Sequence, residues 1–506
     1  MVSTVYSAGV IGVDGYLVEV ECDTGGGLNA FEVVGLAETA VRESRVRIRS
    51  AVDNCGFAMP RGRITINLAP ADVPKRGTIY DLPQAVALMS EAELIPAGTL
   101  DGSLFVGELS LTGELRPIPG VLPMAIAARD HSFKEIFVPE GNGLEAAVVE
   151  GIDVLPVRYL DQIVHHLKGT KRIEPLPPGP PAADTRPLPD LADVKGQEWV
   201  KEALVVAAAG GHNILLVGPP GSGKTMMARR LPSIMPPMTM EEALETTKIY
   251  SVAGQLSRNR GLVTTRPFRA PHHTLSSVAL IGGGTIPRPG EVSLAHHGVL
   301  FLDELPEFPR AVLEALRQPL EDRTVTVSRA AMSCTFPATF SLVASMNPCP
   351  CGYSGDERRK CTCDGHSIRK YMSRLSGPLL DRFDMHVEVR GVGFDQLQKK
   401  AAGPDSATLR AKVLAARAIQ SKRFAGTDIG CNAKMTSRAL ARHCGLDARA
   451  LALLKENFEK RGLSARSYDR ILKVARTLAD LAGEEAVGME QIAQAIHYRE
   501  LDTMID

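Results

Sequence analysis

The sequence carries no excess of charge of either sign: Lys and Arg number 58, and Asp and Glu number 58. With no global field, attraction to a polyanion such as DNA has to come from local basic patches. Long apolar runs are missing too, so no membrane-spanning helix and no membrane partner are expected. The opening residues Met1-Val2-Ser3-Thr4-Val5-Tyr6 lack the basic-then-apolar order of a signal peptide. Cysteine is sparse at nine residues, an odd number with four in one short stretch. That pattern argues for reduced thiols and a cytoplasmic protein rather than a disulfide framework. Internal repeats are absent.

What is present is a chain of 506 residues, too long for one core, so two or three domains are expected. Residues 1–168 read as a mixed α/β unit. Val10 to Val20 and Ile64 to Leu68 have strand character, and Ala40 to Val52 and Leu82 to Leu94 have helical spacing. The segment 169–190 holds Pro175, Pro177, Pro178, Pro180, Pro181, Pro187 and Pro189, and reads as a semi-rigid linker outside any core. A nucleotide-binding module is expected over 191–394. From 395 to 506 the chain reads helical, with the clearest amphipathic runs at Leu409 to Ile419 and Arg466 to Leu481.

The module is organised around Gly218-Pro219-Pro220-Gly221-Ser222-Gly223-Lys224-Thr225, which fits G-x-x-x-x-G-K-[ST] with no substitution. The apolar run Ile214 to Val217 predicts a buried parallel strand before it. Lys224 to Leu231 predicts a short helix after it, stopped by Pro232. Glycines there let backbone N–H groups close on phosphate oxygens, Lys224 reaches the terminal phosphates and Thr225 can hold Mg²⁺. ATP and Mg²⁺ are therefore the expected cofactors.

Further on, Gly298-Val299-Leu300-Phe301-Leu302 runs into Asp303-Glu304. Two carboxylates at the carboxyl edge of a parallel sheet stand where ligands bind. Asp303 is expected to support Mg²⁺ and Glu304 to polarise the attacking water. A second strand, Phe340 to Met346, ends in Asn347, an amide placed either to position that water or to cap a turn.

This set resembles the AAA+ superfamily, in which Asn347 corresponds to the first sensor. Leu379-Leu380-Asp381-Arg382-Phe383-Asp384 is similar to its arginine-finger segment, which implies that Arg382 completes a neighbouring subunit's site. Ser464-Ala465-Arg466 resembles the second sensor, with Arg470, one turn on, as the alternative. The fold implied is α/β: a P-loop AAA+ parallel sheet with helices on both faces, a Lon-protease-like α+β domain before it and a helical lid after it.

Longer motifs narrow the likeness. Arg266-Pro267-Phe268-Arg269-Ala270-Pro271-His272-His273, Asn347-Pro348-Cys349-Pro350-Cys351-Gly352 and Ser376 to Asp384 resemble the YifB/ComM family of magnesium-chelatase-like proteins over nearly the whole chain. The resemblance implies a homo-hexameric ATPase that moves on DNA, single-stranded or branched, and drives branch migration in natural transformation. The alternatives are a remodelling factor of the magnesium-chelatase type and an ATP-dependent peptidase.

Leu275 to Pro289 is similar to the helix-two insertion that projects into the pore of related rings. Val325 to Ser333 reads as a hairpin, and Arg329 stands where related hairpins touch DNA phosphates; a solvated hairpin arginine is the other reading. Cys349, Cys351, Cys361 and Cys363 form two C-x-C pairs around Arg358-Arg359-Lys360, which is either a structural Zn²⁺ site or a set of reduced structural thiols. His272 and His273 are candidates for an additional ligand or for local hydrogen bonding.

The first domain resembles the Lon proteolytic fold through Asn67 to Lys75 and Gly107 to Gly113. That chemistry needs a serine and a lysine acting as base. No serine occurs in Gly77-Thr78-Ile79-Tyr80-Asp81, and Leu122, Pro123 and Met124 stand where the lysine is expected. The domain is expected to organise or bind rather than to cut.

Overall fold

The computed structural model describes residues 2–499 except 97, 180–186, 258–259, 285–286, 330–331, 357, 394–397, 399–402 and 462. Pro180 and Pro181 of the linker, the hairpin tip at 330–331, part of the insertion at 285–286, the expected boundary at 394–395 and the last residues of the lid lie outside this set.

The catalytic sheet has five strands in the order Phe268–Arg269, Val299–Leu302, Ser341–Met346, Ile214–Val217 and Met385–Glu388. All of its pairings are parallel. Three of these strands, Ile214–Val217, Val299–Leu302 and Ser341–Met346, are buried almost throughout. Their near-continuous apolar character is what a sheet covered on both faces demands. The phosphate-loop helix is shorter than its sequence suggests. It spans Lys224–Ala228, and Pro232 lies inside a second short helix, Leu231–Ile234, rather than ending the first.

The C-terminal helices do not form a separate core. Helices Glu198–Gly210, Ser406–Arg423 and Ala465–Ala482 share one apolar cluster with the strands, through residues such as Leu204, Leu216, Val413, Val474 and Val387. A polar knot fastens the same joint. Asp480, 2% exposed, accepts from Arg476 Nε at 3.1 Å, Arg423 Nη1 at 2.8 Å and Asn432 Nδ2 at 2.8 Å.

The N-terminal unit is a mixed seven-stranded sheet in the order Ala30–Val34, Arg63–Ala69, Asp14–Gly25, Ser3–Ile11, Ser103–Phe105, Glu135–Pro139, Asp153–Val157. Val10 to Val20 is not one strand. Gly12, at φ +65°, turns the chain between Ser3–Ile11 and Asp14–Gly25, which pair antiparallel. A positive φ in a two-residue loop is what matches the twist of a hairpin. The linker also departs from expectation. Leu176 packs against the N-terminal core and its N–H donates to Val154 O at 2.9 Å, so its first part runs back over that unit.

Leu122, Pro123 and Met124, where a lysine is missing, are buried in helix Val121–Asp130. The start of this helix docks on the ATPase core. Gly120 N–H donates to Ser251 O at 3.1 Å, and the buried Glu145 carboxylate accepts from Leu122 N–H at 3.0 Å, from Asn142 and from the Ser251 hydroxyl. Removing the carboxylate at the lid's knot leaves the buried Arg476 and the half-buried Arg423 without their shared counter-charge. Asp480→Ala is expected to cost about 3–5 kcal/mol, read as a lower urea midpoint than that of Asp480→Asn, which keeps an acceptor.

Candidate functional site

The phosphate loop leaves the carboxyl end of strand Ile214–Val217. Gly218 is sterically required: a Cβ there would lie 2.1 Å from Val389 O. Gly221 and Gly223 hold φ of +75° and +91°, conformations that a side chain resists. Lys224, only 8% exposed, lies across the loop. Its amine donates to Gly218 O at 2.6 Å, Pro219 O at 2.9 Å and Asn347 Oδ1 at 3.3 Å. Burial pulls this amine down to about 8, against the raising effect of Asp303 and Glu304.

Thr225 Oγ1 donates to Asp303 Oδ2 at 2.6 Å, and the Ser345 hydroxyl and Glu304 N–H both donate to Asp303 Oδ1. Oxygens of Thr225 and Asp303 thus meet at one point beside the loop, which suits a hard cation. Glu304 adopts φ +54° and ψ +50°, uncommon for a residue with a side chain. That turn leaves the carboxylate exposed at the mouth of a cleft of about 490 Å³ shared with Asn347, Glu307, Lys370 and Arg374. The structure therefore brings Lys224, Thr225, Asp303, Glu304 and Asn347 together.

The arginines stand elsewhere. Asn213, immediately before strand Ile214–Val217, accepts from Asp384 N–H at 2.9 Å and donates through Nδ2 to Arg382 O at 2.9 Å. Arg382 is thus at the amino edge of the sheet and the phosphate loop at the carboxyl edge. Strand length alone separates them by about 13 Å. The Arg382 guanidinium pairs with Glu321, and burial together with Arg466 and Arg317 lowers its pKa. Arg466 is exposed and lies 3.7 Å from Asp381 Oδ2, beside Arg382. Arg470 is half-buried at the same edge, 3.6 Å from Asp384 Oδ1 and donating to Phe383 O at 3.3 Å.

His273 is a contact that motif reading did not assign. Its Nδ1 lies 3.6 Å from Glu304 Oε2, so it faces that carboxylate and not the thiols. His272 bonds locally, to Thr274 Oγ1 at 2.9 Å. Arg329 is exposed at the end of strand Thr324–Arg329 and donates to Gly284 O at 3.3 Å, so hairpin and insertion touch. This hairpin meets the first domain: Ile11 and Val13 pack against the apolar cluster that includes Val325, Val327 and Phe336, and Gly12 between them lies beside Cys334 and Thr335.

Two side-chain groups have metal-ligand composition among the described residues. In the first, Cys349, Cys351, Cys361 and Cys363 gather on one loop, and backbone N–H groups of Thr362 and Tyr353 pull the Cys351 thiol down to about 5. In the second, His296 Nδ1 accepts from Thr339 N–H at 3.0 Å, so its Nε2 carries the proton and donates to Glu245 at 3.2 Å. A donating Nε2 has no lone pair for an ion, so this group is an internal hydrogen-bonding knot.

Comparison with known proteins agrees with this geometry. The family described as "Magnesium chelatase, subunit ChlI" matches residues 190–397, its C-terminal part matches 403–499, and "Subunit ChlI of Mg-chelatase" matches 20–142. Fold and site together define an AAA+ ATPase of the magnesium-chelatase type. The competence protein ComM of Haemophilus influenzae is 44% identical over 98% of this chain and 97% of its own. YifB of Escherichia coli is 42% identical over 99% of this chain and 98% of its own. The chain belongs to the YifB/ComM family. A shorter likeness, 34% over 80 residues, joins it to the archaeal Lon protease of Methanocaldococcus jannaschii, covering 16% of this chain and 12% of that one.

The role split between cradle and carboxylate is directly measurable. Lys224→Ala is expected to lose nucleotide binding, whereas Glu304→Gln binds in fluorescent-nucleotide titration and does not turn over. The protonated amine is the binding form, and phosphate contact favours that form. Affinity of the parent protein is therefore full below pH 7 and falls as pH rises past about 8.

Proposed function

We propose that the chain assembles into a homo-hexameric ring that couples ATP hydrolysis to movement on DNA, single-stranded or branched, and drives branch migration in recombination during transformation, in the cytoplasm. The observation that carries the ring is the separation of Arg382 from the phosphate loop of its own chain by the depth of the sheet. An arginine at that edge serves a neighbour's nucleotide, and Arg466 stands beside it to do the same.

ATP supplies the phosphoryl group that is transferred to water, and Mg²⁺ the charge that balances it. The residues present fit both. Backbone N–H groups within 221–225 and the Lys224 amine bind the phosphates, while Thr225 and Asp303 offer the oxygens for the cation. Glu304 accepts the proton of the water, and Asn347 orients that water from the end of the neighbouring strand.

The DNA reading is supported by the likeness to a competence protein and by the contact between two projecting elements. With net charge at zero, six copies of Arg329 brought together in one pore would supply the concentrated positive charge that phosphates need. Backbone contacts of that kind are independent of sequence and weaken with salt.

Two experiments test the proposal. Arg382→Ala mixed with Lys224→Ala restores part of the hydrolysis that each lacks alone, because one interface of the mixed ring pairs a sound loop with a sound arginine. No recovery at any ratio, with rings confirmed by light scattering, rules out action between subunits. Arg329→Glu abolishes stimulation of turnover by DNA and migration of four-way junctions. Parent-like junction migration would falsify the contact and move attention to Arg358, Arg359 and Lys360.

A further inference from the structure

The loop that carries the four thiols is built into the nucleotide site. Asn347, whose amide oxygen accepts from Lys224, is followed after one proline by Cys349, which is fully buried. Gly352, at φ +86°, presses on the phosphate loop: a Cβ there would lie 2.6 Å from Pro220 Cδ and 3.8 Å from Asn347 Cγ. On its other side, Arg358 donates to Val392 O at 2.7 Å and Gly391 O at 3.2 Å. Those carbonyls follow Val389, whose own oxygen abuts Gly218. The loop therefore bridges the two strands that flank the phosphate-loop strand.

Little of this bridge is buried: among the described residues 349–363, only Cys349 and Gly352 are. The sulfurs instead converge. Cys349 lies 3.4 Å from Cys351 and 3.7 Å from Cys361, and Cys351 lies 3.6 Å from Cys361. Cys351 N–H donates to Cys363 Sγ, and Cys363 N–H to Cys361 Sγ, both at 3.4 Å. A tetrahedral ion with Zn–S bonds of about 2.3 Å places its sulfurs roughly 3.8 Å apart. A disulfide needs about 2.05 Å, so these spacings suit an ion at the centre and not pairs of bonded sulfurs. Amide N–H donation to two of the sulfurs is the support that bound thiolates receive.

We propose that Cys349, Cys351, Cys361 and Cys363 hold one Zn²⁺, and that this ion is the brace that sets Asn347 for hydrolysis. The inference rests on the nucleotide-site reading above. It separates hydrolysis from binding, because Lys224 keeps its bonds to Gly218 and Pro219 when Asn347 moves. The ion takes no part in the reaction; the Cys ligands are positioning residues that act through Asn347.

Elemental analysis of protein purified without added metal is expected to give about one zinc per chain. The double variant Cys361→Ser/Cys363→Ser, at the pair remote from Asn347, loses that zinc. Its kcat falls by on the order of ten- to a hundredfold, with nucleotide affinity close to the parent's. Where this variant does not fold, the parent protein stripped with a chelator shows the same split, and added Zn²⁺ restores kcat. Stoichiometric iron, or no metal with all four thiols titrating freely, overturns the zinc assignment. Stripped protein that turns over at the parent rate overturns the brace, and so does an equal loss of affinity and kcat. A parent protein that binds zinc but hydrolyses no ATP sinks the nucleotide reading and the brace together and leaves the metal site standing.

Discussion

Five strands that all point the same way impose a constraint from which the rest of the ATPase unit follows. A parallel sheet has two unlike edges, and the loops that leave its carboxyl edge form the ligand crevice. Gly218, Asp303 and Asn347 each follow directly from the end of a strand, so their convergence is a consequence of strand register. The same polarity sends Asn213, Arg382 and Asp384 to the amino edge, where the lid's Arg466 and Arg470 meet them. One sheet thus carries the phosphate loop and the carboxylates at one edge and a cluster of arginines at the other.

Much of this was legible in the sequence because the chemistry is local. The phosphate loop, the Asp-Glu pair and the C-x-C pairs are contiguous strings whose spacing dictates their geometry. The strand over Val10 to Val20 misled because apolar residues resume at once on both sides of the turn, whose signals are Gly12, Asp14 and Gly15. The helix after the loop ends sooner than its apolar pattern because the pattern continues across two short helices. The pairing of His273 with Glu304 and that of Glu145 with Ser251 join residues distant in sequence, and no periodicity announces them.

The first domain is joined to the ATPase core through a buried helix start. The positions where a Lon-like site needs its base are filled by Leu122, Pro123 and Met124, which pack inward. The helix start that they form is now a joint: Gly120 and Glu145 grip Ser251 of the ATPase core, while the hairpin turn at Ile11 to Val13 supports the strands that carry Arg329. The domain therefore touches both the body of the ATPase and the element proposed to meet DNA.

The shared core of lid and sheet has a mechanical corollary. Helices that bury Val413 and Val474 in one cluster with Leu216 and Val387 cannot hinge without opening that cluster to water. Lid and sheet then move as one stiff wedge, and in the proposed assembly the conformational freedom would lie at the seams between wedges. In the ring proposed above, nucleotide state would be expressed as the angle between wedges, so small rotations between subunits, rather than flapping lids, would set its pitch.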